Sequence, residues 1–523
     1  MTNTELSPGR RKAVLILLAL TGLVVVMDLT ILNVALDTIQ RDLNASTAGL
    51  QWALDSYLIS FAAFIFTSGV CADRFGRKKT LLAGIVIFGA ASLFAAYSGG
   101  IGELILWRAV MGVGAAVVPT VTLAILINAF PPAERPKAIG AWAGAAGVAI
   151  AVGPLAGGLL LQSFWWGSVF LINVPLVIIG VVLIAWLVPE SRNPANTKFD
   201  PAGVVLSILA VGALVYGIVT GGERNDWLAL PVVGSLVAGV VLIALLVVVE
   251  RRIATPALDV KLLKETKFSA GTVAISLAFF AMIGALFITS LYFQAVHGFS
   301  PRTAGLLMLP MGVGTVVMST RSPKLAMKFG PRAVVIGGSL AMAVAFFGFS
   351  VVGADTSIWV LALAQLVYGL GWGCITAPAT AALMSVVPPV KAGAGQAVSG
   401  TVRQVAGALG VAIVGSVLGV VYRTSIGSSV DVLPESSRDA AAGSLGGTLR
   451  AIAHAGGDAA SFAGLKADAI NAYLSGMQAT MLICAVFSLG AAFVALRWLP
   501  GKPPAAVAPA APAAAPAAPA ARP

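Results

Sequence analysis

The chain has 523 residues, 58% of them hydrophobic and only 10% charged, with a mean hydropathy of +0.95. Its net charge of +12 sits in short loops between apolar runs, the pattern of membrane topology rather than of a nucleic-acid surface. Two histidines and three cysteines, Cys71, Cys374 and Cys484 in or beside apolar segments, leave no metal spacing and no disulfide framework; no cofactor is expected.

Apolar windows of about 18 residues or more read as spanning helices. They fall at 13–36, 48–70, 80–97, 102–128, 138–161, 168–188, 201–220, 231–249, 269–294, 303–320, 333–352, 358–384, 395–422 and 476–498, fourteen in all. The first is too long for a cleavable signal peptide. Of the 33 Lys and Arg residues, 24 lie on the side that holds the N-terminus and seven on the other, which places both termini in the cytoplasm. Residues 423–472, rich in Ala, Gly and Ser, read as a long external loop, a lid or slack. From Gly501 the chain alternates Pro and Ala and is expected to be an extended, disordered spacer.

The two ends of the chain repeat one another. "TAGL" occurs at Thr47–Leu50 and at Thr303–Leu306. Arg108, Gly112, Gly114 and Pro131-Pro132 match Gln365, Gly369, Gly371 and Pro388-Pro389, each 257 residues later, as Gly153 and Gly158 match Gly410 and Gly415. The expected organisation is a cytoplasmic N-terminus (1–12), a six-helix bundle (13–190), two inserted helices with their linkers (191–268), a second six-helix bundle (269–500) and the tail (501–523). Paired halves of this kind are how secondary transporters build a midplane site that faces each side in turn.

Three ionisable residues stand out. Asp28 lies inside the first apolar stretch, where a carboxylate is costly and marks a functional site by default. Loss of hydration favours the neutral form of such an acid, so it is a candidate for loading and releasing a proton; a helix-end acid paired with a neighbouring helix is the plain alternative. Arg108 lies some six residues inside the fourth span and needs a cavity or a carboxylate, Asp28 or Asp55, if it does not snorkel. Asp55 follows Gln51 and Trp52 by about one turn, on the same helix face. The windows matching Asp28 and Asp55 in the second half hold no ionisable residue, so ion coupling is expected in the first half.

The motifs resemble those of the fourteen-spanner drug:proton antiporters of the major facilitator superfamily, a group that includes exporters of quaternary ammonium compounds. The resemblance rests on "MDLTILNVAL" (Met27–Leu36), "GVCADRFGRKK" (Gly69–Lys79), "WRAVMGVGAA" (Trp107–Ala116) and "GVAIAVGPLAGG" (Gly147–Gly158), in family order. It implies an all-α polytopic membrane fold of fourteen helices and a conformational latch at Gly69, Asp73, Arg74, Gly76, Arg77 and Lys78. In that latch Asp73 caps or pairs across a helix end while the basic residues stay in the cytosol. It also implies an export-biasing kink at Gly153, Pro154, Gly157 and Gly158, and likens Asp55 to the helix-2 acid of quaternary-ammonium exporters. Asp37 stands where the family usually has Pro, and Trp165-Trp166-Gly167 replaces its Trp-Arg-Trp.

The expected function is export of lipophilic or amphiphilic toxic compounds across the cytoplasmic membrane in exchange for protons. Trp52, Met282, Phe287, Tyr292, Tyr368 and Trp372 are the candidates to line an apolar cavity, with Phe279 beside them. Spans nine to twelve carry none of the extra acids of members that handle divalent cations, and the thirteenth carries Arg403 and Gln404 instead, which favours monovalent, neutral or zwitterionic substrates over dications. The alternatives are a dedicated exporter of one metabolite or self-made antibiotic and, more remotely, a non-transporting sensor. No phosphate-binding loop or catalytic cluster points to a pump or an enzyme. The partners expected are the small-molecule substrate, protons and lipid, with no nucleic acid and no required protein.

Overall fold

The computed structural model describes residues 7–43, 45, 47–192, 201–224, 226–252, 260–454 and 462–501. Regular structure among them is entirely helical, because hydrocarbon offers no hydrogen-bond partners and a helix satisfies its own backbone. We number the long helices α1 (Pro8–Asp42), α2 (Thr47–Phe75), α3 (Arg77–Ala96), α4 (Ile101–Ala129), α5 (Arg135–Ser163), α6 (Asn173–Leu187), α7 (Pro201–Arg224), α8 (Leu230–Arg252), α9 (Thr266–Leu291), α10 (Pro301–Phe329), α11 (Pro331–Ser350), α12 (Ile358–Met384), α13 (Ala392–Ile426) and α14 (Ala463–Trp498). Among the described residues thirteen helices are long and apolar enough to cross a membrane. The other is α5, 29 residues of mainly Ala, Gly, Val and Leu, at the expected fifth place.

The sequence repeat recurs as a repeat of packing. Gly112 on α4 lies against the Tyr57 carbonyl of α2, and Gly369 on α12 lies against the Met311 carbonyl of α10. Gly114 meets Gly84 and Phe88 on α3, and Gly371 meets Gly338 and Met342 on α11. Gly153 meets Met27 and Thr30 on α1, and Gly410 meets Phe280 on α9. Glycine is needed at these crossings because association in lipid depends on close backbone approach rather than on hydrophobic burial. Helices α7 and α8 pack on each other, and α7 also packs on α2 and α13 through Ala62, Val211 and Val215. Trp227, between them, donates from Nε1 to Ser416 Oγ of α13 at 3.2 Å.

The two sets of helices meet at the end of the molecule that carries most Lys and Arg. There α2 packs on the start of α13, with Gly69 against Gly393 and Ala397, and α5 packs on α10, with Gly140 against Ser319 and Pro323 and Gly147 against Thr315.

The segment 423–472 departs from the expected loop. Helix α13 runs on to Ile426, helical segments Glu435–Gly443 and Leu445–His454 follow, and α14 begins at Ala463. Leu433, Ala441, Leu445, Ala451, Leu465 and Ala469 bury a small apolar core there, and Tyr422 Oη lies 2.6 Å from Thr448 Oγ1. Short apolar residues at helical spacing, too few to span a bilayer, were enough to build a cap. Residues 455–461 within it and 502–523 of the expected spacer lie outside the described set.

Candidate functional site: a buried ion pair and an inter-bundle latch

Asp28 and Arg108 meet in the core of the first helix set. Arg108 Nη1 donates to Asp28 Oδ2 at 2.6 Å, with the side chains 1% and 0% exposed. The other carboxylate oxygen accepts from Asn173 Nδ2 at 2.9 Å, and that amide also donates to Ser92 Oγ at 3.0 Å. Ser92 Oγ in turn donates to the Phe170 carbonyl. Arg108 Nε donates to the Ala53 carbonyl at 3.2 Å, and its guanidinium lies 4.2 Å from the centre of the Tyr57 ring. The Tyr57 hydroxyl and Asn173 Oδ1 are buried without a hydrogen-bond partner among the described residues.

Five helices thus hold one charge pair: α1 supplies the acid, α4 the cation, α6 and α3 the amide and hydroxyl, and α2 the carbonyl and ring. Two charges removed from water at this cost persist only with such geometry. The pair has one chemical freedom: Asp28 can take a proton, whereas a guanidinium keeps its charge. Of the two carboxylates considered for Arg108, the structure brings Asp28 to it. Asp55 is half-buried on α2 and is not among the partners of Arg108. Sequence reasoning passed over Asn173 and Ser92; the signal available was a lone amide in the apolar run Ser168–Leu187.

The latch residues form a second buried pair at the basic end. Asp73 Oδ1 accepts from Arg77 Nη2 at 2.7 Å and from Arg77 Nε at 3.1 Å. Asp73 Oδ2 accepts from the backbone N–H of Ala394 in the first turn of α13, at 3.0 Å. Arg77 Nη2 also donates to the Pro389 carbonyl at 3.0 Å, which receives Asn128 Nδ2 as well. Of the basic residues expected on the cytosolic side, Arg77 is buried rather than solvated, at 1% exposure. Neutralised by Asp73 and bonded to Pro389, it spans the two helix sets instead of facing water. Arg74 is half-buried beside the Phe75 ring, and Lys78 donates its backbone N–H to Glu190 Oε1. Glu190 seats its carboxylate at the N-terminus of α3, where exposed N–H groups favour an anion. It fills the space beside Gly76, whose φ of +110° requires glycine.

The residues of the expected kink lie within α5, which runs unbroken from Arg135 to Ser163. Gly153 and Gly157 are buried and Gly158 half-buried; the side chain of Pro154 lies outside the described set. The cavity candidates separate into several places. Tyr368 Oη donates to the Met282 carbonyl at 2.6 Å, joining α12 to α9. The Trp372 ring lies 5.8 Å from Phe279. Phe287 is 37% exposed, beside Gly415. Tyr292 is committed elsewhere: it begins a π-helical turn, donates to the Gly353 carbonyl at 2.7 Å and lies 3.0 Å from His297 Nε2. Trp52 faces Tyr216 of α7, with ring centres 5.9 Å apart.

The family model of the Major Facilitator Superfamily matches residues 18–411. This chain belongs to that superfamily. Its superfamily relatives include the multidrug efflux pump LfrA of Mycolicibacterium smegmatis, 34% identical over 94% of this chain and 97% of LfrA. They also include the tetracenomycin C resistance and export protein of Streptomyces glaucescens, 32% identical over 93% and 91% of the two chains. Among solved structures, the superfold is shared with the human organic anion transporter MFSD10, at a TM-score of 0.61 and 15% identity over 94% of this chain and 100% of that one. The proton:xylose symporter XylE aligns at a TM-score of 0.59 and 16% identity, over 95% and 98%. At such identities the two structures speak for the fold alone. As a superfamily member with thirteen candidate spans among its described residues, the protein is a multi-pass membrane protein.

Proposed function

We propose that this protein is a proton-driven exporter of lipophilic or amphiphilic toxic compounds, seated in the cytoplasmic membrane with both termini in the cytosol. The observation that carries the reading is the Asp28–Arg108 pair, sealed from solvent in a superfamily member whose relatives include drug efflux pumps. Protonating Asp28 removes the carboxylate that holds Arg108, so proton loading alters the packing of five helices. That is a differential interaction of the kind an exchange cycle requires.

With the basic end facing the cytosol, the Asp73–Ala394 and Arg77–Pro389 bonds close the carrier on that side. A proton taken up by Asp28 from outside would favour release of the exported compound, and its loss inside would reset the cycle. Asp55, on the same helix as the Tyr57 ring, is the second candidate carboxylate. The Gly153–Gly158 stretch of α5 is the hinge biased toward export. In this reading the protein does no catalysis.

Ethidium efflux from energised cells tests it. Wild-type efflux that stops with a protonophore and with Asp28→Asn supports the reading; efflux indifferent to both refutes it. A carrier that moves none of several lipophilic dyes but one natural product is the dedicated exporter of the alternative reading, for which the relative named for tetracenomycin C resistance and export is the precedent.

A further inference from the structure

Arg403 is a cation that the proton site does not use. It is the twelfth residue of α13, roughly 17 Å along the helix from its basic end at 1.5 Å per residue. That is about the mid-depth of a hydrocarbon layer some 30 Å thick. Among the described residues no carboxylate lies within salt-bridge distance of it. The buried acids Asp28 and Asp73 are committed to Arg108 and Arg77. From Thr266 to Ile426 the sequence contains a single acid, Asp355, and that lies in the connection between α11 and α12.

The side chain is half-buried, its guanidinium 5.7 Å from the centre of the Phe279 ring. Phe279 is fixed in turn by the Trp372 ring at 5.8 Å and by Gly407, one turn beyond Arg403, where an added Cβ would come 2.6 Å from the ring. Gly400, one turn before, faces Ile65 of α2. Arg403 therefore stands at the seam between the two helix sets.

An arginine at this depth without a counter-charge costs about 3 kcal/mol or more. Phe279 lies beside the guanidinium without satisfying its N–H donors, which leaves that fork of donors for a planar anionic group. We propose that Arg403, Phe279 and Trp372 form a binding site for the anionic group of a transported aromatic amphiphile, a carboxylate, phenolate or sulfonate. Half-buried Phe279, backed by the buried Trp372 ring, receives the ring system and Arg403 the charge. This rests on the exporter reading above and adds a substrate class to it. An aromatic anion gains the charge pair, a neutral ring gains only the stacking, and a dication is repelled.

The test is dye binding, read by fluorescence polarisation, to the purified full-length protein in a neutral detergent without phospholipid. Fluorescein and rhodamine 123 share a xanthene frame and differ in charge. Arg403→Gln should weaken fluorescein at least about tenfold, the loss of one charge-assisted bond, and bind rhodamine 123 at least as tightly as wild type. Arg403→Lys should keep fluorescein within about threefold, since a point charge retains part of the attraction. The site is overturned if Arg403→Gln leaves fluorescein unchanged, or weakens both dyes alike as a packing defect would. It is also overturned if phosphatidylglycerol displaces fluorescein as readily as unlabelled dye does, which would make it a lipid site. Where any of these occurs while the wild type still extrudes ethidium, the anion site alone falls. A wild type that binds neither dye and extrudes nothing overturns both.

Discussion

Removing the two members of the Asp28–Arg108 pair is not symmetrical. Asp28→Asn leaves a permanent cation, 1% exposed, without a counter-charge; the Ala53 carbonyl, the Tyr57 and Phe170 rings and at most a neutral amide oxygen remain beside it. Breaking a buried pair in this way costs about 3–5 kcal/mol. At about 1 °C per kcal/mol for a chain of this length, thermal unfolding in detergent should begin roughly 3–5 °C earlier. Arg108→Gln should cost less, because the stranded Asp28 sheds its charge by taking a proton and keeps the bond from Asn173. The double variant Asp28→Asn/Arg108→Gln should recover most of the loss. It places a glutamine where the second half already has one, the fully buried Gln365. We therefore expect a coupling of at least about 2 kcal/mol in the double-mutant cycle. Gradient-driven ethidium efflux should be absent from all three variants, since none can exchange a proton at a paired carboxyl. The reasoning is refuted if Asp28→Asn melts with the wild type, if the coupling falls below about 0.5 kcal/mol, or if the double variant extrudes dye in response to a proton gradient.

Three further outcomes follow from named contacts. Asp73→Asn weakens the charged bond to the Ala394 N–H, worth about 1.5–3 kcal/mol. It should broaden the distance distribution between spin labels at Lys79 and Met327 toward longer values; an unchanged distribution would remove the latch. Gly369→Ala drives a methyl group into the Met311 carbonyl and should lower stability by about 1–3 kcal/mol. Gly180→Ala, with open space around it, should stay within about 0.5 kcal/mol of wild type; equal effects would sink the close-packing argument. Burial holds His297 below its ordinary value of 6.5, against the opposing pull of Asp355. Its neutral form is thus favoured in the folded protein, and its contribution is complete above pH 6.5 and lost as pH falls from there through the folded value. The melting temperature should decline over that window, and His297→Gln should flatten the decline.

Hydrophobic run length determined the helices, because a continuous apolar run long enough to cross lipid satisfies its own backbone only as a helix, a barrel needing short alternating strands instead. The thirteen candidate spans among the described residues, together with α5, fall at the fourteen apolar windows of the sequence. The repeat spacing of 257 residues was equally legible, since the pairs Gly112/Gly369, Gly114/Gly371 and Gly153/Gly410 mark crossings that the fold makes twice. Asp28 and Arg108 announced themselves by the cost of a charge in an apolar run. Their partnership did not, for 80 residues of chain separate them and Asp55 was as close a candidate in sequence. Only tertiary packing chose Asp28, and only packing recruited Asn173 and Ser92, polar residues too common in kind to stand out. The latch was decided in the same way. Asp73 meets Ala394 across 321 residues, so Arg77 is buried against Pro389 instead of solvated, a pairing that no local pattern encodes. The cap between α13 and α14 escaped the sequence reading because its helices are short and rich in Ala and Gly, and they hold their shape by packing on one another and on the ends of longer ones. Local chemistry thus determines which segments enter the membrane. Which charges meet inside it depends on how those segments pack, because a buried charge is stable only beside partners that distant parts of the chain supply.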